Sequence, residues 1–517
     1  MPISKILKTS GFLAGVASLT VAIGCGGAGV VIPHTTGNYS NASFKGSYVY
    51  EIRGILVDDT PYREAGVITA DGNGNITGGI DGFANPNTGG AIQSSASVTG
   101  TYTIANDGTG QILLGSTGLG TLAGVAQISL AVTLASTSQA RLMEADVFAS
   151  GAGTAELQTA TAISSAPNGT FVFRMHQEVD SQNSTSASQV GFFTIASGSL
   201  SSGSMDQNLF TIGSSSLTLT GGTFSAPTSL GTGTGSFTDS TPFTTNFLYY
   251  IVNSAKFVLL ASNPGAVGSG SAEMQSGAVG SGLQGTYAFG SSGDDFQFNN
   301  DVATVGEFAG SGATISAGQL DALQDGQNYS QDVAFTGAAT TGTNNPSPQG
   351  RVLVTLNESG TSVPVIFWMV SPTRAFFLDN LTTRAEDGTA DLQTTTSFSA
   401  ATFKGQFALL MDGFAVFNNG ISVTPEGLAR VGTLQFDGSG RLTLVELANS
   451  SQSGTGASNP GAFSGSYQVG SGGRFTGSLS NSGGGLDLVG YAVSGSQAYV
   501  MQTDQGDNTS GTIQLQQ

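Results

Sequence analysis

The stretch Gly153-Thr154-Ala155-Glu156-Leu157-Gln158 decides the fold, because close copies of it recur along the chain. The copies read Gly270-Ser271-Ala272-Glu273-Met274-Gln275, Gly388-Thr389-Ala390-Asp391-Leu392-Gln393 and Gly511-Thr512-Ile513-Gln514-Leu515-Gln516. They begin at residues 153, 270, 388 and 511, so the period is 117 to 123 residues. Solenoid units are only about 20 to 50 residues long, whereas domains are typically about 100 to 150. The period therefore predicts four tandem globular domains.

Two further signatures recur in the same order inside each repeat. A glycine, a small or polar residue and an aromatic open each copy: Gly46-Ser47-Tyr48, Gly169-Thr170-Phe171, Gly285-Thr286-Tyr287 and Gly405-Gln406-Phe407. An aspartate follows a glycine at a spacing of 15 in three copies, as Gly66 to Asp81, Gly191 to Asp206 and Gly306 to Asp321, and the fourth has Glu446 near that position. The signatures predict repeats at residues 42–160, 165–277, 281–395 and 400–517.

Within the first repeat the hydrophobic pattern is that of β-strands. Tyr48, Tyr50 and Ile52 fall on one face of a strand and the charged residues between them on the other. The segment Asp71-Gly72-Asn73-Gly74 tolerates positive φ and predicts a hairpin turn. The whole repeat shows about eight such strands in an antiparallel meander and no amphipathic helical stretch. The predicted fold class is all-β.

The meander must hide its edge strands. Closure of the first strand onto the last gives an up-and-down barrel, and the recurrent ends of each repeat mark where this closure would occur. A two-sheet β-sandwich is the alternative architecture.

In strand number and in the glycine–aromatic opening, each repeat resembles lipocalin-like and avidin-like barrels. The resemblance implies an eight-stranded barrel whose interior can hold one small molecule. Interior aromatic pairs, namely Tyr48/Tyr50, Phe171/Phe173 and Tyr287/Phe289, would either line a pocket or fill the core. Biotin binding is not implied, because avidin-like pockets need several tryptophans and this chain has only Trp368.

The amino terminus has the pattern of an export signal. Lys5 and Lys8 precede an uncharged, mostly apolar stretch that ends in small residues and the single cysteine, Cys25. The segment Ala22-Ile23-Gly24-Cys25 resembles the lipobox of bacterial lipoproteins, although that pattern prefers leucine where this chain has Ala22. The resemblance implies cleavage after residue 24, acylation of Cys25 and a flexible tether over 25–41. Glycine rather than aspartate after the cysteine favours the outer membrane or cell surface.

Charge narrows the possible partners. The formal net charge is -19, and loss of residues 1–24, which hold two lysines and no acid, leaves -21. Such an acidic chain without a basic run repels nucleic acid. Because only 9% of the residues are charged, serine, threonine, asparagine, glutamine and glycine must cover most of the surface.

Few residues can support catalysis or metal binding. Of the two histidines, His34 lies in the tether and His176 is predicted on the outer face of a strand beside Arg174, as an exposed residue. With only one histidine in the folded repeats and no free thiol, Ser-His-Asp and Cys-His catalysis and His/Cys zinc sites are not expected, and no cofactor or metal is predicted. The recurrent carboxylates Asp81, Asp206 and Asp321 have no assigned role and are expected to be structural.

These observations favour a non-enzymatic cell-envelope lipoprotein. It would be held to a membrane by the lipid on Cys25 and display four β-domains for structure, adhesion or contact with glycans or other envelope proteins. Carriage of small molecules inside the barrels is the first alternative. A carboxylate-dependent glycan hydrolase, which would use acids such as Asp81, Asp206 and Asp321, is the second.

Overall fold

The computed structural model describes residues 38–88, 91–94, 96–179, 187–209, 213–295, 300–324, 328–340, 344–418, 423–451, 456–504 and 506–517. These residues form four closed antiparallel barrels in tandem, which confirms the all-β fold and the barrel prediction over the sandwich. Cys25 and His34 lie outside the described residues. Short 3-10 helices occur at Asn41–Ser43, Pro86–Thr88, Ala162–Ser164, Val279–Ser281 and Ala400–Thr402.

Barrel 1 is built from eight strands and carries one short extra strand and a helix. Its elements are β1 (Lys45–Leu56), β2 (Pro61–Asp71), β3 (Asn75–Ala84), β4 (Ile92–Gln93), β5 (Thr99–Ile104), β6 (Thr109–Gly115), α1 (Gly118–Ala123), β7 (Gln127–Ser136), β8 (Gln139–Glu144) and β9 (Ala149–Leu157). Strand β1 pairs with both β2 and β9, β2 pairs with β3, and β4 extends β3 at its edge.

Helix α1 was not predicted. Thr117 caps it by accepting a hydrogen bond from the amide of Gly120, and Gly124 ends it in the left-handed conformation, with φ of 69°. With only six residues, the helix is too short to show a helical period in the sequence.

The other three barrels are uninterrupted eight-stranded meanders. Barrel 2 has β10 (Gly169–Val179), β11 (Ala187–Ala196), β12 (Ser199–Leu209), β13 (Gly213–Phe224), β14 (Thr232–Asp239), β15 (Thr244–Asn253), β16 (Lys256–Ala261) and β17 (Ala266–Met274). Barrel 3 has β18 (Leu283–Asp295), β19 (Asn300–Gly312), β20 (Thr314–Gln324), β21 (Asn328–Ala339), β22 (Arg351–Glu358), β23 (Thr361–Ser371), β24 (Arg374–Asp379) and β25 (Arg384–Leu392). Barrel 4 has β26 (Lys404–Asn418), β27 (Val423–Asp437), β28 (Arg441–Ser450), β29 (Phe463–Val469), β30 (Arg474–Asn481), β31 (Gly484–Ser494), β32 (Gln497–Gln502) and β33 (Asp507–Leu515).

The recurrent ends of each repeat meet as predicted. The opening aromatic of every first strand pairs with the fifth residue of the closing hexapeptide: Tyr48 with Leu157, Phe171 with Met274, Tyr287 with Leu392 and Phe407 with Leu515. The alternate residues of these first strands point inward and join the apolar core of their own barrel.

The four barrels form one compact unit and close into a ring. Apolar clusters join barrel 1 to 2, 2 to 3 and 3 to 4, and a further cluster joins barrel 4 back to barrel 1. The last contact contains Met143 and Ala152 of barrel 1 and Leu410 and Val431 of barrel 4. The chain therefore has approximate fourfold symmetry, which the sequence period alone did not reveal.

The last residue of each hexapeptide ties its barrel to the next one. The amide nitrogen of each glutamine side chain donates to two backbone carbonyls of the following barrel: Gln158 to Leu230 and Ile251, Gln275 to Gln349 and Met369, Gln393 to Gly472 and Ala492, and Gln516 to Asp107 and Leu134. The same contact is thus made four times and completes the ring from barrel 4 to barrel 1.

We expect Gln516→Ala to loosen the ring at its closing contact. The change removes two donors from the carbonyls of Asp107 and Leu134, which lie 2.9 and 2.7 Å from the side-chain nitrogen. Each lost bond costs on the order of 1 kcal/mol. Hydrogen exchange should accelerate around these carbonyls in barrel 1. Gln158→Ala is the matched control and should act in barrel 2 instead; faster exchange confined to barrel 4 in Gln516→Ala would contradict ring closure.

Candidate functional site

A cavity of about 550 Å³ lies among the four barrels and is lined by residues of all of them. Each barrel contributes its first strand, its last strand and the strand before the last. Successive side chains of β1 point alternately into and out of barrel 1. Those of Val49, Glu51 and Arg53 point outward and line this axial cavity. Ring closure therefore creates the site from faces that a single barrel would expose.

One wall of the axial cavity is a cycle of polar contacts, each from one hexapeptide to the next barrel. Glu156 binds Lys256 at 2.5 Å, and Glu273 binds Arg374 at 2.9 Å. Asp391 accepts a hydrogen bond from the hydroxyl of Tyr499 at 2.6 Å. The cycle ends in barrel 1, where Gln514 accepts from Arg141 at 2.9 Å and donates to Gln139 at 2.7 Å.

A second layer of charges joins neighbouring barrels, barrel 1 to barrel 4 and barrel 2 to barrel 3. Arg53 binds Asp412 of barrel 4 at 2.6 Å, and Arg174 approaches Asp387 of barrel 3 to 3.4 Å. The Asp412 carboxylate raises the pKa of Arg53. A smaller cavity of about 90 Å³ shares Arg53, Ser292, Asp412 and Ser510 with the larger one, so the two cavities meet at this layer.

His176 was predicted to be solvent-exposed, and that prediction is wrong. Its side chain is only 15% exposed because the outer face of β10 packs against barrel 3. Its Nδ1 lies 2.9 Å from Asp387. Burial raises the pKa of Asp387, but the contacts with His176, Arg174 and Ser188 outweigh this and lower it to about 2.

The contacts of His176 differ from those of a catalytic serine–histidine pair. The hydroxyl of Ser188 lies on the Nδ1 side, 3.3 Å from that nitrogen, and donates to the same Asp387 carboxylate at 2.9 Å. A catalytic base would hold the serine at Nε2 and the carboxylate at Nδ1. Here Nε2 instead lies 3.9 Å from Asp294. The cluster therefore binds barrel 2 to barrel 3.

Two of the three recurrent aspartates are buried between barrels. Asp206 receives two hydrogen bonds from Arg351 of barrel 3, at 2.7 and 2.8 Å, and one from the indole of Trp368, at 2.8 Å. Asp321 receives the corresponding pair from Arg474 of barrel 4, at 2.7 and 2.8 Å, and one from the hydroxyl of Tyr491. Both carboxylates are thus held by the barrel that follows.

Asp81 occupies a different environment, although its spacing in the sequence is the same. The hairpin of barrel 1 has five residues between Ala70 and Ile76, whereas barrel 2 has four between Ile195 and Leu200. One extra residue moves a side chain to the other face of a strand. Asp81 therefore points into barrel 1, where it accepts hydrogen bonds from Tyr50 and from the amide of Gly118, both at 2.6 Å.

Inside barrel 1, Asp81 lies beside a second carboxyl group, that of Glu64. Burial raises the pKa of Asp81 to about 6. Burial raises the pKa of Glu64 well above its usual range, and Asp81 and Glu144 add to the effect. Barrel 4 has an ion pair at the corresponding positions, in which Arg430 lies 2.6 Å from Glu446. Barrel 1 thus replaces a buried ion pair by a buried acid pair.

The aromatic pairs considered as pocket linings inside the barrels pack against other core side chains. Tyr48 stacks on Phe44 with ring centres 4.2 Å apart, and Phe173 stacks on Phe193 at 5.4 Å. Tyr287 stacks on Phe308 at 5.4 Å. The axial cavity, by contrast, lies between barrels.

No known family model matches the chain, and no curated protein is significantly similar to it. The candidate site is therefore interpreted from its geometry. Across the described ranges, no helix is long and apolar enough to cross a membrane. Nor does any group of three or more His, Cys, Asp or Glu side chains in those ranges have the arrangement to hold a metal ion.

Sequence reasoning missed the residues that make the axial site. One position, at the start of the second-last strand, is polar in every barrel and pairs with the fourth residue of the hexapeptide. It is occupied by Gln139, Lys256, Arg374 and Gln497. The signal was available in the hexapeptide, whose fourth residue is polar in every copy and points out of its own barrel. An outward polar residue that recurs at the domain period indicates a contact between domains.

Proposed function

We propose that this protein is a non-enzymatic envelope lipoprotein, anchored through Cys25, whose four barrels act as one rigid ring. The closed ring supports the proposal most directly: every repeat ends in a glutamine bound to the next barrel, and the fourth binds the first. A ring of this kind holds four similar surfaces at fixed spacing. Its role is structural or adhesive contact with envelope glycans or proteins.

Fixed spacing changes how such a surface binds. Four flexibly linked domains would search for separate sites, and their joint affinity would depend on linker length. In the ring, the geometry is set by buried contacts such as Asp206 with Arg351 and Asp321 with Arg474. Repeating polymers, such as surface polysaccharides, suit a body that offers the same surface several times.

We expect Cys25→Ala to release the protein from the membrane fraction. The change removes the only thiol of the chain and therefore the only site for a thioether-linked lipid. Fractionation of cells and labelling with a radioactive fatty acid measure the effect, with Asp487→Asn on an exposed strand position of barrel 4 as the control. Retention of the Cys25→Ala protein in the membrane fraction would contradict lipid anchoring.

The released protein also tests the contact role. With the anchor gone and the ring unchanged, it should still bind isolated envelope polysaccharide or envelope protein in a sedimentation assay. Absence of binding to all such fractions, or turnover of a glycan panel, would overturn the proposal.

A further inference from the structure

The axial cavity contains five cationic side chains, and four of them are neutralised. Within the described residues, a carboxylate oxygen lies within 4.0 Å of Arg53, Arg174, Lys256 and Arg374. These ion pairs also join one barrel to the next. They neutralise the side-chain charges that become buried when the ring closes.

Arg141 is the exception. Its guanidinium has an amide partner, Gln514, at 2.9 Å, and its Nε has no hydrogen-bond partner although it is buried. Burial lowers the pKa of Arg141, and the nearby Glu156 carboxylate, which is bound to Lys256, offsets this only in part. For Lys256, the carboxylates of Glu156 and Glu273 outweigh the effect of burial. A buried guanidinium without a carboxylate of its own is unfavourable unless a ligand supplies the negative charge.

The architecture of the ring does not require a cation at this position. Arg141 pairs with Thr154, and the corresponding residues of the other barrels are Val258, Phe376 and Tyr499. Three barrels therefore close against their neighbours with an apolar or aromatic side chain there. Arg141 adds charge where packing would be satisfied without it.

We propose that the axial cavity binds a small acidic sugar, with its carboxylate on Arg141. A guanidinium fork matches a carboxylate in two-point geometry, and the Arg141 guanidinium lines the cavity with an amide oxygen, that of Gln514, as its hydrogen-bond partner. A volume of about 550 Å³ falls in the range of sites for small molecules. The proposal goes beyond envelope contact and does not depend on the lipid anchor.

The rest of the lining suits hydroxyl groups. Near Arg141 it offers the amides of Gln139 and Gln514 and the hydroxyl of Thr154. Amides and hydroxyls both donate and accept hydrogen bonds. The other four cations of the cavity are already paired with carboxylates, so a second ligand carboxylate has no open partner. One carboxylate with several hydroxyls is the combination that this lining fits.

Calorimetric titration of the full-length protein in detergent tests the proposal, with D-glucuronate and D-glucose as probes that differ by the carboxylate. We expect glucuronate to bind about tenfold or more tightly than glucose, a difference of about 1.4 kcal/mol or more. Arg141→Gln should abolish the preference, and Arg141→Lys should keep part of it. Arg441→Gln, at an exposed hairpin position of barrel 4, is the matched control and should leave binding unchanged.

Several results would overturn the proposal. These are equal binding of the two sugars, no binding of either, or an Arg141→Gln protein that melts like the parent and binds glucuronate as well. If inorganic phosphate binds as tightly as glucuronate, the ligand is a simple anion and not an acidic sugar. A circular-dichroism melt of each variant separates loss of the ligand site from loss of the ring.

Discussion

Replacement of Asp206 by alanine should lower the free energy of unfolding by about 3 to 5 kcal/mol, the usual cost of leaving one partner of a buried ion pair alone. The side chain of Asp206 is 1% exposed and accepts hydrogen bonds from Arg351, Trp368 and Ser216. Alanine would leave a partly buried guanidinium charge and a buried indole N–H between barrels 2 and 3 without their acceptor. Few other single changes remove so many contacts at once.

The chain reports this change directly, because Trp368 is its only tryptophan. Urea denaturation followed by tryptophan fluorescence should show a lower midpoint and, before unfolding, a shifted emission maximum. Asp487→Ala, at an exposed strand position in barrel 4, is the control. An Asp206→Ala protein with the midpoint of the parent would show that the interface does not depend on this carboxylate.

A double variant separates the charge from the packing. Asp206→Leu combined with Arg351→Met removes both charges, so neither is left buried alone. We expect it to recover part of the stability lost in Asp206→Ala. If the double variant is less stable than the single one, shape rather than charge controls the interface.

The fold could be predicted because its signals are local and are repeated four times. Alternation along β1 placed Tyr48 and Tyr50 inside. The turn after Asp71 fixed the hairpin of β2 and β3, where the Asp71 carboxylate accepts hydrogen bonds from the amides of Asn73 and Asn75. Barrel closure followed because an isolated meander would expose its edges.

The ring could not be predicted in the same way. Its contacts join residues more than 70 positions apart, such as Gln158 with Leu230 or Gln516 with Leu134. From the sequence, an outward serine, histidine or aspartate on a strand is expected to be solvated, and only the neighbouring barrel changes that. His176 was misassigned for this reason, since its partner Asp387 is 211 residues away.

Asp81 shows a different limit. Equal spacing from a glycine grouped it with Asp206 and Asp321, but the hairpin between the two positions is one residue longer in barrel 1. Successive side chains of a strand point to opposite faces, so a single inserted residue reverses the direction of the side chains that follow it. Spacing in the sequence therefore grouped three aspartates that lie on different faces of their strands.

The acid pair inside barrel 1 leads to the second large effect. We expect Glu64→Gln to raise the free energy of unfolding at pH 7.5 by on the order of 1 to 3 kcal/mol. Glu64 is fully buried beside Asp81, and Glu144 lies near enough to act on both Glu64 and Tyr62. Glutamine has nearly the same shape as glutamate and can donate a hydrogen bond to Asp81, but its amide does not titrate.

The sign follows from the raised pKa values. Burial raises the pKa of Asp81 to about 6 and that of Glu64 well above its usual range, so the folded protein holds protons that the unfolded chain releases above about pH 4. The stability that the pair contributes is complete below the unfolded pKa and is lost as the pH rises through the folded values. The parent protein should therefore be more stable at pH 5 than at pH 7.5.

Groups with lowered pKa values act in a different window. The pKa of Asp387 is about 2, so its contribution is complete above about pH 4 and falls only in stronger acid. Urea midpoints measured by circular dichroism between pH 5 and 7.5 should thus report mainly acids such as the Glu64–Asp81 pair. Across that range Glu64→Gln should flatten the decline seen in the parent, whereas Asp487→Asn should reproduce it. Parallel declines in parent and Glu64→Gln would mean that Glu64 is already ionised in the folded barrel and that another buried acid, such as Glu51 in the axial cavity, causes the pH dependence.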